Sequence, residues 1–146
     1  MLLAKVRTLR ALPPADRACL WRALRLLPVV GLSLKLRGTR KTQAWLGRED
    51  VPAQQNVGRL WPVVRMVRVA QRYHRPWSNC LSHALTLWAL LQREGIATEV
   101  RVGTRLHAGR LEAHAWVEWQ GRALTEPGDG AGVFTAFHRP LVGRTP

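Results

Sequence analysis

The spacing of apolar residues predicts that the first half of the chain is helical. Between residues 14 and 36 apolar side chains recur every three or four positions, as Cys19, Leu20, Ala23, Leu24, Leu26 and Leu27. Pro14 suits a first helical turn, whereas Pro28 is expected to kink or end the helix. Residues 37–55 are polar and aperiodic, which predicts an exposed loop.

A second helix is predicted from about residue 56 to residue 74, with Asn56 as its N-cap. Its apolar positions repeat at helical spacing, as Leu60, Val63, Val64, Val67 and Ala70. Arginines occupy the intervening positions and are expected to face outward. We predict that they form a docking face for a substrate or partner, chiefly through Arg59, Arg65, Arg68 and Arg72.

The third helix is predicted to begin after Ser78 or Asn79 and to end at Gly95. Apolar residues cover nearly all of its circumference, and its charges are confined to Arg93 and Glu94. A helix of this kind is one that protein surrounds on all sides.

After Gly95 the apolar period changes from helical spacing to two, which is typical of strands. Val100 and Val102 alternate with charged residues, a second strand follows within residues 111–119, and a third is predicted over residues 122–126. Helices followed by an antiparallel sheet indicate an α+β fold.

The register of the last hairpin depends on its turn. A three-residue loop, Trp119 to Gly121, would place Glu118 opposite Arg122 and His114 opposite Glu126. A four-residue loop or a bulge would bring Asp129 near His114 instead. Glu118 also shares the face of His114 on the same strand.

The chain of 146 residues is 47% apolar, which suits one globular domain. We expect a basic helical region over residues 1–75 and a catalytic core over residues 76–146 within it. Residues 1–78 hold 16 lysines and arginines against three acids, whereas residues 79–146 hold seven arginines against six acids. The first half should therefore attract anionic partners.

Two distant cysteines, Cys19 and Cys80, do not suggest a disulfide framework and favour a reducing cytoplasm. Cys19 belongs to an apolar stripe and is expected to be a buried structural residue. No signal peptide is recognisable, and the apolar stretch of residues 26–34 is too short to cross a bilayer. We therefore expect a cytoplasmic protein with no transmembrane segment.

Cys80 opens the third predicted helix, and His114 lies 34 residues later inside a predicted strand. A helix N-terminus favours the thiolate form of a cysteine, and a strand holds an imidazole rigidly. A third residue, Glu126 or alternatively Asp129, would orient the imidazole. This combination predicts a cysteine nucleophile with a histidine base.

Two other kinds of site are weaker alternatives. Cys80 and His83 together with His107 and His114 could be imagined as zinc ligands, but no second paired motif supports a metal, and we expect neither metal nor cofactor. The arginine-rich helix could track nucleic-acid phosphates, but the chain lacks a recognised nucleic-acid-binding pattern, so no nucleic-acid partner is expected.

Three segments carry a family resemblance: residues 79–97, from Asn79-Cys-Leu-Ser-His onward, residues 100–103, and Ala113-His-Ala-Trp-Val-Glu118 with Gly121. They closely resemble the transglutaminase-like cysteine proteases of lasso-peptide biosynthesis, in the stand-alone form of the leader peptidase. The resemblance covers about residues 75–130. It implies a transglutaminase-like, papain-like core with the cysteine helix packed on an antiparallel sheet.

The family triad is Cys, His and Asp, which the resemblance carries onto Cys80, His114 and Glu126, where this chain has Glu. The implied reaction is removal of the leader from a ribosomally made lasso precursor peptide. The implied partners are that precursor, a separate leader-binding recognition protein and a lasso cyclase. A transglutaminase or an amidase that uses the same triad is the alternative enzyme, and product mass would separate these reactions.

Overall fold

The computed structural model describes residues 10–47, 55–74, 79–124, 134–137 and 139–142. Within these residues three long helices precede four antiparallel strands, so the predicted α+β class is confirmed. The elements are α1 (Pro14–Leu46), a short 3-10 turn (Val57–Arg59), α2 (Leu60–Tyr73), α3 (Cys80–Arg93), β1 (Glu99–His107), β2 (Arg110–Trp119), β3 (Arg122–Ala123) and β4 (Thr135–Ala136).

Helix α1 is longer than predicted and is interrupted at Gly38 rather than ended at Pro28. Gly38 has φ +77°, a left-handed conformation that glycine adopts without steric cost. Ser33 and Thr42 share a hydrogen bond of 2.8 Å between their hydroxyl oxygens. In a straight helix residues nine apart lie about 13 Å apart along the axis, so the second arm folds back on the first.

The predicted loop over residues 37–55 is therefore wrong for residues 39–46, which form this second arm. The apolar pattern did not indicate a helix in this arm because just two of its side chains, Thr42 and Leu46, are buried. The helical structure of the second arm therefore depends on the packing of these two residues against the core rather than on a periodic sequence pattern. Although α1 is long, no helix among the described residues is apolar enough to span a membrane.

Helix α3 lies at the centre of the core, as its apolar circumference predicts. Nine of its 14 residues are buried. Helices α1 and α2 cover one side, and Ala115 and Val117 of β2 pack on it from the sheet. Residues from both the 1–75 and the 76–146 regions therefore contribute to the same hydrophobic cluster.

The sheet has the strand order β3-β2-β1-β4, and both hairpins that lead into and out of β2 use two-residue turns. In each turn both residues have positive φ, Ala108 with Gly109 and Gln120 with Gly121. Such turns match the right-handed twist of the flanking strands.

The predicted three-residue loop at residues 119–121 is therefore wrong, because Gln120 as well as Gly121 adopts a left-handed conformation. Glu118 pairs with Ala123 rather than with Arg122. The register that placed Glu126 opposite His114 is lost with it. Glu126 and the alternative Asp129 lie outside the described residues.

A buried carboxylate ties the helices together. Asp16, in the first turn of α1, is 2% exposed and hydrogen-bonds the guanidinium of Arg59. Arg59 also lies 3.7 Å from Glu94 at the end of α3. Burial by itself would lower the pKa of Arg59, but the hydrogen bond to Asp16 and the charges of Asp16 and Glu94 raise it. Arg59 therefore has a structural role and does not face outward as expected.

Cys19 is buried in the core at 4% exposure, and burial raises the pKa of its thiol from 9.0 to about 11. Between those pH values the unfolded thiol loses its proton while the folded one keeps it. The free energy of unfolding should therefore fall as pH rises from 9 to 11, by up to about 1.4 kcal/mol per pH unit. Urea unfolding across this range should show this slope in the wild type and its loss in Cys19→Ala. Parallel curves for the two proteins would contradict the assignment.

Candidate active site

A capping box positions Cys80 as the first residue of α3. The Asn79 Oδ1 accepts a hydrogen bond of 2.8 Å from the Ser82 amide, and the Ser82 Oγ accepts one of 3.0 Å from the Asn79 amide. This reciprocal pair defines where the helix begins. The predicted helix start is confirmed, and the half-buried Cys80 thiol lies at the positive end of the helix dipole.

Cys80 and His114 line the same cavity, whose volume is about 240 Å³. The side walls come from α2, the start of α3 and strand β2. The residues around it are Val64, Arg68, Gln71, Asn79, Cys80, His83, Leu87, His114, Ala115 and Leu124. We call this cavity the Cys80 cleft. The fold thus brings together two residues that are 34 positions apart in the chain.

Strand β2 reaches the cleft through two consecutive residues, His114 and Ala115. Ala115 and Val117 project into the helical core, so His114 and Trp116 belong to the other face of the strand. Within the described residues β3 pairs with β2 only at Glu118 and Trp119. The stretch of β2 around His114 therefore has an edge that no described strand covers, and the cleft lies against it.

Two aromatic rings, Trp116 and Phe134, lie beside the His114 imidazole. The imidazole lies 5.1 Å from the Phe134 ring and 6.0 Å from the Trp116 ring, centroid to centroid, and Trp116 and Phe134 are 6.5 Å apart. The interplanar angle between His114 and Trp116 is 18°. Ring contacts of this kind restrict the orientation of the imidazole. We call these residues the His114 ring cluster.

Charged pairs hold both sides of this cluster. The Arg105 guanidinium lies 4.6 Å from the Phe134 ring centroid and donates a 2.6 Å hydrogen bond to Glu112. On the other side, Glu118 accepts hydrogen bonds from the Trp116 indole at 2.8 Å and from Arg101 at 3.2 Å. Both oxygens of Glu118, which was predicted to share the face of His114 on this strand, thus bind Trp116 and Arg101.

The sequence did not lead us to predict that some residues of the cleft belong to the site, although they recur at helical spacing. Cys80, His83 and Leu87 follow one another at three and four residues on α3. On α2, Val64 and Gln71 lie at the same spacing on either side of Arg68. His83 was considered there only as a metal ligand. Among the described residues no three His, Cys, Asp or Glu side chains are grouped to hold a metal.

The four arginines predicted to dock a partner have separate environments. Arg68 lines the Cys80 cleft, and Arg65 and Arg72 are exposed on α2. Arg59 is paired with Asp16, and Arg65, although exposed, also lies 3.5 Å from the second carboxylate oxygen of Asp16. A positive charge therefore borders the cleft itself, on the wall formed by α2.

A family model described as "Transglutaminase-like superfamily" matches residues 23–139, which include most of α1, the cleft and the strands. No curated protein and no solved structure matches the chain significantly.

Gly103 of β1 leaves room for the His114 ring cluster. A Cβ there would lie 2.7 Å from the Thr135 carbonyl oxygen and 2.8 Å from Cη2 of Trp116. Gly103→Ala should therefore lower the free energy of unfolding by about 1–3 kcal/mol, since backbone and ring must both shift. Gly58→Ala is the control, because its Cβ would meet Asn56 at an ordinary 3.7 Å. Equal urea midpoints for the two variants would contradict this close packing.

Proposed function

Since this chain belongs to the transglutaminase-like superfamily, whose members are generally cysteine-peptidase-like enzymes, we propose that it is a cysteine peptidase with Cys80 as nucleophile and His114 as base. The observation that carries the proposal is the shared cleft of these two residues, with Cys80 at a helix N-terminus. Thiol and imidazole in one partly enclosed site are the minimum for nucleophilic amide cleavage.

The chemistry follows from these two groups. The Cys80 thiolate attacks the carbonyl carbon of a peptide bond and forms a tetrahedral intermediate. His114, protonated on taking the thiol proton, gives that proton to the leaving amine as the C–N bond breaks. Water, deprotonated by His114, then hydrolyses the thioester and restores the thiol.

The negative oxygen of the tetrahedral intermediate needs hydrogen-bond donors. The backbone amide of Cys80, at the open end of α3, is the first. The Oδ1 of Asn79 is already engaged by the Ser82 amide. We assign the second donation to the Gln71 side-chain amide, which lines the cleft from α2.

The third member of the triad is proposed to be Glu126, which carries a carboxylate twelve residues after His114. The resemblance to the leader peptidases supports this assignment, since an acid occupies that position in their triad. Asp129 is the alternative third member. Glu126 and Asp129 both lie outside the described residues. Within the described part of β2, Glu118 is bonded to Trp116 and Arg101 instead.

We further propose that the amide is the junction between leader and core in a lasso precursor peptide. The resemblance over residues 75–130 supports this substrate, together with a separate leader-binding protein and a cyclase that uses the released core. Arg68 in the cleft and exposed Arg65 and Arg72 suit contacts with acidic leader residues or with that partner. The free thiols are consistent with a cytoplasmic site of action.

Cys80→Ala and His114→Ala should abolish leader removal, because one removes the nucleophile and the other the proton carrier. Glu126→Ala should be impaired less, since it only orients the imidazole. Mass spectrometry of a candidate precursor, incubated with and without the leader-binding protein, measures cleavage. Circular dichroism checks that each variant is folded.

Two controls make this test specific. Cys19→Ala removes the other thiol, which lies in the core away from the cleft, and should retain activity. His83→Ala removes the second histidine of the cleft and should retain most activity. Loss of cleavage in His83→Ala but not in His114→Ala would transfer the role of base to His83. Wild-type cleavage by purified Cys80→Ala would refute the proposal.

A transglutaminase reaction is the second candidate, because the same thioester can be taken by an amine in place of water. Incubation with a small primary amine such as glycine methyl ester distinguishes the two reactions by product mass. A product mass equal to substrate plus amine minus ammonia would indicate acyl transfer from a glutamine side chain. Two fragments whose masses add up to precursor plus water indicate peptidase activity.

The His114 ring cluster should position the imidazole for proton transfer. Phe134→Leu keeps an apolar side chain but removes the ring 5.1 Å from His114, so kcat should fall by about tenfold with KM nearly unchanged. Phe134→Tyr should restore most of kcat, because it restores the ring. Phe137→Leu is the matched control, as Phe137 is 54% exposed three residues away. Equal kcat values in Phe134→Leu and Phe137→Leu would contradict a positioning role.

A further inference from the structure

The first arm of α1 carries a stripe of largely exposed apolar side chains. Val29, Leu32 and Leu36 are 49%, 57% and 75% exposed. They recur at three and four residues, so they lie along one face of the helix over about 10 Å. Single exposed apolar residues are common on proteins, but a contiguous row of them marks an interaction site.

The break at Gly38 turns this stripe into a groove. It folds the second arm back so that Trp45 lines a cavity of about 350 Å³ together with Val29, Leu32 and Leu36. In a straight helix Trp45 and Val29 would be about 24 Å apart. A second cavity of about 430 Å³ adjoins at Leu32 and is lined by Pro28, Gly31, Leu32, Lys35 and His74. We call the two cavities together the α1 groove. Neither cavity shares a lining residue with the Cys80 cleft.

The surroundings of the α1 groove are strongly basic. Lys35 and Arg37 line the groove itself. Exposed cations elsewhere on α1 are Arg22, Arg25, Arg40 and Lys41. The single acid of α1, Asp16, is buried beside Arg59 and Arg65 and does not line this groove. A ligand of this groove must therefore bring both apolar side chains and negative charge.

We propose that the α1 groove binds an acidic segment of a partner protein, most simply a short helix with two or three large apolar side chains on one face. Two concave cavities joined at Leu32 suit the insertion of separate side chains. The carboxylates of the segment would meet Lys35 and Arg37. This site is distinct from Arg68 of α2, which borders the cleft where the substrate reacts.

Four other occupants fit the α1 groove less well, on grounds of charge, apolar character or shape. A second copy of the chain would bring an equally basic α1 surface to the contact. Residues 1–9 of the same chain contain Lys5 and Arg7 and no acid. Nucleic acid would match the charge but leave aliphatic Val29, Leu32 and Leu36 without a partner. Anionic membranes match both properties but do not require concave cavities.

The test is a selection from displayed random 16-residue peptides on the intact protein, followed by fluorescence anisotropy of the enriched sequences. Enriched peptides should be net negative and contain at least two large apolar residues. Leu32→Ala/Leu36→Ala should weaken their binding by at least tenfold. The matched control is Leu106→Ala/Leu111→Ala, which truncates two leucines of the β1–β2 hairpin that are 75% and 73% exposed. The control should bind as the wild type does.

Three results would overturn the proposal: enriched peptides that are neutral or basic, peptides weakened equally by both double variants, or no peptide that distinguishes them. A 20-nucleotide RNA and phosphatidylserine vesicles are tested in parallel with the same variants. Binding of vesicles or RNA that is lost in Leu32→Ala/Leu36→Ala, with no such peptide, would assign the groove to that ligand instead. The experiment measures binding without catalytic turnover, so its outcome is independent of the proposed peptidase activity.

Discussion

The burial of α3 on all sides is the constraint on which the rest of the structure depends. A helix with nine buried residues cannot lie at a surface, so α1 and α2 must cover one side and the sheet another. Its C-terminal part is held deep in the core, and its N-terminus, with Asn79 and Cys80, comes out at the border between helices and sheet. The Cys80 thiol is therefore placed on the most buried of the described helices while remaining half-buried in a cleft. The capping box then determines which residue is the first of the helix, and hence that it is the cysteine.

The two faces of the sheet have different roles around this site. Ala115 and Val117 fill the core under α3, whereas the alternate residues of the same strand, His114 and Trp116, build a polar and aromatic layer on the other face. That layer has its own support in Arg105, Glu112, Arg101 and Glu118, which form ion pairs along the β1–β2 hairpin. Gly103 makes the arrangement possible, because any side chain there would collide with Trp116 and with the backbone of β4. Strand pairing, ring contacts and ion pairs thus all contribute to the position of the His114 imidazole.

The basic residues of the first half lie in three different environments. Arg59 stabilises the helical layer through Asp16 and Glu94, which lie on α1 and at the end of α3. Arg68 brings a positive charge to the cleft, beside the proposed reaction. The cations of α1 surround the apolar groove that the turn at Gly38 creates. A count of charges along the chain predicts attraction to anions, but only the packing shows that these arginines and lysines address different sites.

The sequence by itself determined the helix that begins at Cys80, the buried character of that helix, the two long strands and the α+β class, because each depends on local periodicity and capping. It also indicated Cys80 and His114 as a pair, since a helix start and a strand are local features. Tertiary structure alone decided the second arm of α1, whose polar sequence is helical because Thr42 and Leu46 pack on the core. It decided the hairpin register as well, since Gln120 takes a left-handed conformation that no pattern required. The Phe134 contact with His114 and the α1 groove likewise join residues far apart in the chain, and such contacts follow from packing rather than from any repeat in the sequence.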